Sequence, residues 1–256
     1  MKALRERLLA CEPLLCTFIT IPSPVVVELA ALAGFDAVVL DTEHGPYGVE
    51  SLPALLLAAR AHGIAAIVRV RSHDPSLIGL ALDAGADGVL VPHVSSASEA
   101  QAVVAAARFA PDGHRGANPF VAAAGYSGRS DWFTQANRSV AVIGMVEGKE
   151  GLDAVNEILD VAGLDAVFVG PFDLSHALGL PGQVDHPAVT ASLLRVAEEA
   201  RMRGRAMGAF APTTEAVRSL QDAGAALIAY GVDTMLVLDC LRARVEEVRS
   251  CSTSPT

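Results

Sequence analysis

The stretch AVVLDTEHGPYG, residues 37–48, changes character half-way along. Ala37-Val38-Val39-Leu40, led in by Gly34-Phe35-Asp36, reads as a short strand that is apolar on both faces, as a strand must be when helices cover its sheet. It stops abruptly at Asp41, Glu43 and His44, followed by Gly45-Pro46. The polar end marks where the interior opens. Two carboxylates and an imidazole within four residues are there either as solvated turn residues or as part of a working site.

Outward from this stretch the same design repeats. Strands are expected at LLCTFIT (14–20), DAVVLD (36–41), AAIVRV (65–70), GVLVPHV (88–94), VAVIGMVE (140–147), DAVFVG (165–170), AMGAF (206–210) and ALIAYG (226–231). Between them lie helical patterns such as VVVELAALAG, LPALLLAARAHG and LLRVAEEARMRG, several with Ser or Asp before and Gly after. Parallel strands need such crossovers, and eight alternations make a (β/α)8 TIM barrel, an α/β fold. Residues 1–256 are therefore expected to form one barrel domain. The longest irregular stretch, 111–137, interrupts the alternation after the fourth strand and is expected to serve function or an interface.

Composition narrows the function classes. Hydrophobic residues make up 52% of the chain and charged residues 19%, ample for a large core. A formal net charge of -10 argues against nucleic acid or an anionic membrane surface as partner. The four cysteines, Cys11, Cys16, Cys240 and Cys251, have neither metal-finger nor CxxC spacing, as expected of a reducing cytoplasm. The N-terminus looks faintly like a signal, but Glu12-Pro13 splits its apolar run. No charge-free run is long enough to suggest a membrane span.

Barrel active sites are built at the C-terminal ends of the strands. Those ends carry Asp41, Glu43 and His44 after strand two, Arg69 in strand three, Glu147 after strand five and Asp173 beyond strand six. Glu147 and Asp173 are hard oxygen donors suited to a divalent ion, or else caps for the helices that follow. Arg69, the one charge within IVRV, can clamp a carboxylate with two hydrogen bonds or be tied internally to Asp41 or Glu43. His44 fits a base or a structural imidazole; His62, His73 and His93 are expected to have no role, and Arg71 to be structural. Lysine occurs only at Lys2 and Lys149, neither within a strand, which disfavours a Schiff-base aldolase. The absence of an HxH pair at a strand end disfavours a zinc-hydrolase barrel.

The stretches GFDAVVLDTEHGPYG (34–48), VRVRSHDPSLIGLALDAGADGVLVPHV (68–94), VEGKEGLDAVNEILDVAGLDAVFVGPFDLSHALG (146–179) and YGVDTMLV (230–237) resemble the HpcH/HpaI aldolase family. The resemblance implies a barrel of the phosphoenolpyruvate/pyruvate type and a class II aldolase that joins pyruvate or a close 2-oxo acid to an aldehyde. It implies that Glu147 and Asp173 hold a divalent ion (Mg2+, Mn2+ or Co2+) and that Arg69 contacts the pyruvate-derived oxygens. His44 would act in proton transfer, supported by Asp83 from a neighbouring subunit. Asp41 and Glu43 would orient the surrounding waters, with Arg115 of the RG element nearby. A homotrimer or hexamer is implied, with a C-terminal helix at about 233–249 packing on a neighbour.

Two positions depart from the common pattern: Met145 stands where many members have Gln, and Phe18 where many have Trp. With Phe172 they are expected to shape the substrate pocket. Two rival readings are a citrate-lyase-like or malyl-thioester lyase, which should show more basic surface for a CoA tail, and a barrel that binds a metal and an oxo acid without turnover.

Overall fold

The computed structural model describes residues 2–251; Met1 and 252–256, which the one-domain expectation also covers, lie outside the described residues. After a short helix α1 (Leu4–Leu9), eight strands follow: β1 (Leu14–Ile19), β2 (Ala37–Asp41), β3 (Ala65–Arg69), β4 (Gly88–Val91), β5 (Ala141–Val146), β6 (Ala166–Val169), β7 (Ala206–Ala211) and β8 (Leu227–Val232). They are parallel, pair in chain order and close through β1 with β8. Each expected strand is present. The fourth ends three residues early, because Pro92 has no N–H for the ladder and His93 turns the chain at φ 55°.

The crossovers are α2 (Pro24–Ala33), α3 (Leu52–His62), α4 (Pro75–Asp83), α5 (Ala97–Ala107), α6 (Trp132–Ser139), α7 (Lys149–Asp153), α8 (Val155–Leu159), α9 (Pro171–Ala177), α10 (Pro187–Met202) and α11 (Thr214–Asp222), and α12 (Asp233–Cys251) ends the described chain. Helix α6 begins inside the stretch expected to be irregular. It forms there because Trp132 and Phe133 stack edge-on against Phe109, with ring centroids 5.1 and 4.9 Å away, a contact invisible in local pattern.

Alternation along each strand sorts the side chains. Val38, Leu40, Val68, Val142 and Val167 point outward and pack beneath the helices. Ala37, Val39, Ile67, Ile143, Met145 and Phe168 point inward and fill the barrel. Leu4 and Leu8 of α1 join this inner cluster and close the N-terminal mouth. Helix α1 is fastened there by Arg5, whose Nε donates to buried Asp165 at 2.8 Å. Asp165 also accepts from Arg108 Nη2 at 3.0 Å and from the Val142 N–H at 2.9 Å. The C-terminal mouth stays open.

Candidate active site

The inward alternation that places Val39, Ile67 and Met145 inside the barrel brings Asp41, Arg69 and Glu147, two residues further on, to its open rim. Asp41 and Arg69 are direct neighbours across β2 and β3, since the register pairs one with the other. Arg69 Nε donates to Asp41 Oδ1 at 2.9 Å and Nη2 to Oδ2 at 2.7 Å, a two-point clasp with both residues buried. Both roles that the sequence allows Arg69 are compatible here, because the clasp uses only two of the five N–H bonds of a guanidinium. Burial opposes the Arg69 charge, but Asp41, Glu43 and Glu147 hold its pKa above the ordinary value.

Asp41 also organises the turn that follows. Its Oδ1 accepts from the backbone N–H of Glu43 at 3.1 Å and of His44 at 3.2 Å. The turn is so tight that a Cβ on Gly45 would lie 2.1 Å from the Asp41 carbonyl oxygen, so only glycine fits. Arg71 secures the same loop from outside through the carbonyls of Thr42 and Tyr47, the structural role expected of it. His44 emerges exposed at the lip of the cavity.

Beside the clasp lies an acidic group. Glu147 Oε1 accepts from the backbone N–H of His93 at 2.7 Å and stands 2.9 Å from its Nδ1. His93 Nε2 is 3.5 Å from Glu43 Oε1, and Glu43 Oε2 is 3.1 Å from Arg69 Nη1 without the alignment of a hydrogen bond. His93, expected to have no role, is thus drawn into the site. Its left-handed backbone is a local signal that composition cannot show. His73 instead bonds the Pro92 carbonyl, and His62 stands at the surface near Glu28.

Burial is the main force that pushes the Glu147 carboxyl up to about 7; nearby Asp173 and Glu43 add to it, while His93 opposes it. Burial likewise raises Glu43, against the pull of Arg69. Asp173 comes from the first turn of α9 and lines the same cavity as Asp41, His44 and Arg69. Among the described residues no three His, Cys, Asp or Glu side chains converge as a metal-holding set.

The cavity measures about 390 Å³ and is walled by Phe18, Phe168, Phe172 and Phe210, with Met145 at its floor. Phe168 and Phe210 escape a reading of strand ends because each resembles an ordinary core residue in its strand. A Cβ on Gly170 would fall 2.6 Å from Met145 Cε and 3.0 Å from Glu147 Oε2, so a side chain there would push the Met145 thioether aside. Asp83 and Arg115 are not at this rim. Asp83 ends α4, toward the N-terminal side of the barrel, and pairs with Arg115 Nη2 at 2.5 Å in the same chain. Within its own chain Arg115 is not brought to the strand-end site: its guanidinium is buried over the Phe109 ring, 4.5 Å from the centroid.

The profile of the HpcH/HpaI aldolase/citrate lyase family matches residues 15–240. The chain belongs to that family. It is an HpcH/HpaI enzyme, a carbon–carbon lyase of the aldolase type. The 2-keto-3-deoxy-L-rhamnonate aldolase of Escherichia coli (strain K12) is 35% identical over 252 residues, covering 98% of this chain and 94% of that protein. An HpcH/HpaI aldolase/citrate lyase family protein from Burkholderia cenocepacia J2315 superposes with a TM-score of 0.92 at 36% identity, over 96% of this chain and 98% of that one. The citrate synthase SbnG superposes with a TM-score of 0.89 at 32% identity, over 98% and 99%. In this HpcH/HpaI chain the strand-end charges gather on one side of the cavity, and Phe18 lies beneath the Arg69 guanidinium, 4.9 Å from it.

Proposed function

We propose that this chain is a class II aldolase: with a divalent ion bound, it adds pyruvate or a close 2-oxo acid to an aldehyde and cleaves 4-hydroxy-2-oxo acids. The observation that carries this reading is a clasped guanidinium, Arg69, beside an acidic group, Glu147 with Asp173, at the open end of one cavity. The donor set fits Mg2+, Mn2+ or Co2+. Glu147, which burial and the neighbouring charges of Asp173 and Glu43 keep from ionising freely, gains from a cation, and a ligand set of Glu147 and Asp173 leaves positions for water and substrate. Bound by Glu147 and Asp173, the ion would supply Lewis acidity toward the oxo acid.

The chain's own residues do the rest. Arg69, immobilised by Asp41, presents its remaining N–H bonds to the negative charge that develops on the oxo-acid oxygen when a methyl proton leaves. No side-chain movement is needed at that moment, which is what makes a preset donor effective. His44 at the lip exchanges a proton with the hydroxyl of the 4-hydroxy-2-oxo acid, directly or through water. His93 orients Glu147 through its backbone N–H, and Glu43 stands beside both His93 and Arg69.

The reading extends to assembly: a cytoplasmic homotrimer or hexamer of one-domain barrels of the phosphoenolpyruvate/pyruvate type. Among the described residues no helix is long and apolar enough to cross a membrane. Helix α12 would pack on a neighbouring subunit, since only Asp233 of it is buried and Leu238, Leu241 and Val245 lie exposed. Asp83, held by Arg115, would then reach a neighbour's His44, away from its own.

The test strips the protein with a chelator and follows pyruvate release from a 4-hydroxy-2-oxo acid as Mg2+, Mn2+ or Co2+ is restored. Activity should return with metal in the wild type and not in Glu147→Ala or Asp173→Ala. Calorimetry should show weakened metal binding in both. Wild-type turnover in either variant at limiting metal would overturn the assignment.

A further inference from the structure

The rings of the cavity form a continuous path. Phe18 lies under the Arg69 guanidinium, its centroid is 6.1 Å from that of Phe210, and Phe210 is 5.8 Å from Phe172. Phe172, at 48% exposure, reaches the rim. The path therefore runs from the group that would hold the oxo acid out to solvent. A substituent carried beyond the reacting carbon can lie along it.

That path offers little to a hydroxyl. Thr20 is the hydroxyl on this wall, and its Oγ1 already donates to Asp233 Oδ1 at 2.7 Å. Gly170 and Pro171 bring no side-chain donor, and Val232 and Met145 complete an apolar lining. The other polar groups of the cavity, Asp41, His44, Arg69 and Asp173, are those the aldolase reading engages, so a polyhydroxylated tail laid on the rings would exchange water for ring faces with few partners for its hydroxyls, whereas an alkyl or aryl tail would gain by leaving water. A volume of about 390 Å³ falls in the range of small-molecule pockets, about 300–1,000 Å³, with room for a tail beyond the oxo-acid head.

The geometry points to an aldehyde partner with an apolar, aliphatic or aryl end, selected by Phe210 and Phe172. This inference rests on the aldolase reading. The step forms one bond, from the methyl carbon of the oxo acid to the carbonyl carbon of the aldehyde. The proton lost from the methyl group is balanced by one gained at the new hydroxyl. Nothing else is consumed.

The experiment has three arms. Exchange of the pyruvate methyl protons in D2O with Mg2+ or Mn2+, read by NMR, needs no aldehyde and tests the aldolase reading alone. Initial rates of addition to hexanal, phenylacetaldehyde and glyceraldehyde then test the inference in the wild type and in Phe172→Ser. Phe172 is half exposed, so its replacement leaves the core intact, and Phe210→Ser, at a partly buried ring, is the second variant. Saturation-transfer NMR of benzyl alcohol against glycerol, neither of which can react, reads the same preference as binding. The apolar aldehydes should exceed glyceraldehyde in kcat/KM by about tenfold or more, the scale of one or two methylenes in an apolar pocket. Phe172→Ser should lower that ratio several-fold. Equal or better use of glyceraldehyde by the wild type, or a ratio unmoved in both variants, would overturn the inference while exchange still supported the aldolase reading. If exchange fails, the aldolase reading is lost, and benzyl alcohol binding that both serines weaken supports the apolar end; glycerol binding as well as benzyl alcohol refutes it.

Discussion

At the scale of single residues, the arrangement around Asp41 shows how one carboxylate does two jobs. Its oxygens hold the Arg69 fork in one orientation and also bond the N–H groups of Glu43 and His44, so the guanidinium and the turn carrying His44 move as one unit. Lysine cannot reproduce that unit, because an ammonium is a compact point charge without a planar fork. Arg69→Lys is therefore expected to keep the barrel intact and to lower kcat by about 10²–10³-fold, the usual cost of losing one preset donor to a developing negative charge. Steady-state rates with circular dichroism as a folding control check this; unchanged kcat would remove Arg69 from the chemistry. A second expectation concerns His93. Its backbone N–H serves Glu147 from a left-handed conformation, which glycine adopts more readily than other residues. His93→Gly should thus keep that bond and stability, whereas His93→Ala should be the less stable variant in urea denaturation. The reverse order would show that backbone strain at position 93 does not set stability, whereas an equal loss in both variants relative to the wild type would measure the imidazole contact with Glu147.

At the scale of elements, the barrel is closed at one mouth and open at the other, and α1 makes the difference. Its attachment depends on Asp165, whose carboxylate is shared by Arg5 of α1, Arg108 after α5 and the first turn of the β5 ladder. Removing the shared carboxylate leaves Arg108 buried without its counter-charge. Asp165→Ala should cost about 3–5 kcal/mol of stability, as breaking a buried pair does. The loss belongs to the closed mouth, so urea unfolding should reveal it while metal affinity, measured on the folded variant, stays near the wild-type value. A stability loss below about 1 kcal/mol would show that water reaches this site.

At the scale of the whole molecule, α12 stands apart. It is fixed at its start, where Asp233 grips Thr20 and Ile21 through their N–H groups at 2.8–3.0 Å, and beyond that turn it leaves an apolar stripe uncovered. If that stripe packs on a neighbour, Leu241→Asp with Val245→Asp should reduce the molar mass in light scattering to that of a smaller assembly. Mixed oligomers of His44→Ala and Asp83→Ala should then regain part of the activity that each lacks, since one type of hybrid interface pairs an intact His44 with an intact Asp83. Unaltered mass in the double aspartate variant would move the interface elsewhere, and verified mixed oligomers without recovery would separate Asp83 from His44.

The chain's order of strands, the barrel they form and the carboxylates at their ends were legible in the sequence because they depend on period. Apolar runs of four to six residues between capped helical patterns specify parallel strands, and the two-residue repeat that buries Val39, Ile67 and Met145 also aims Asp41, Arg69 and Glu147 at the rim. Only tertiary structure decided the rest. His93 enters the site through a left-handed turn after Pro92, α6 forms because two distant rings meet Phe109, and Phe168 and Phe210 line the cavity because of which way the barrel turns them. Arg115 and Asp83 lie together at the other side because α4 carries Asp83 away from the strand ends. Period records which face a residue occupies; it does not record which distant residue stands opposite, and that is where the ion pairs and ring contacts of this site are made.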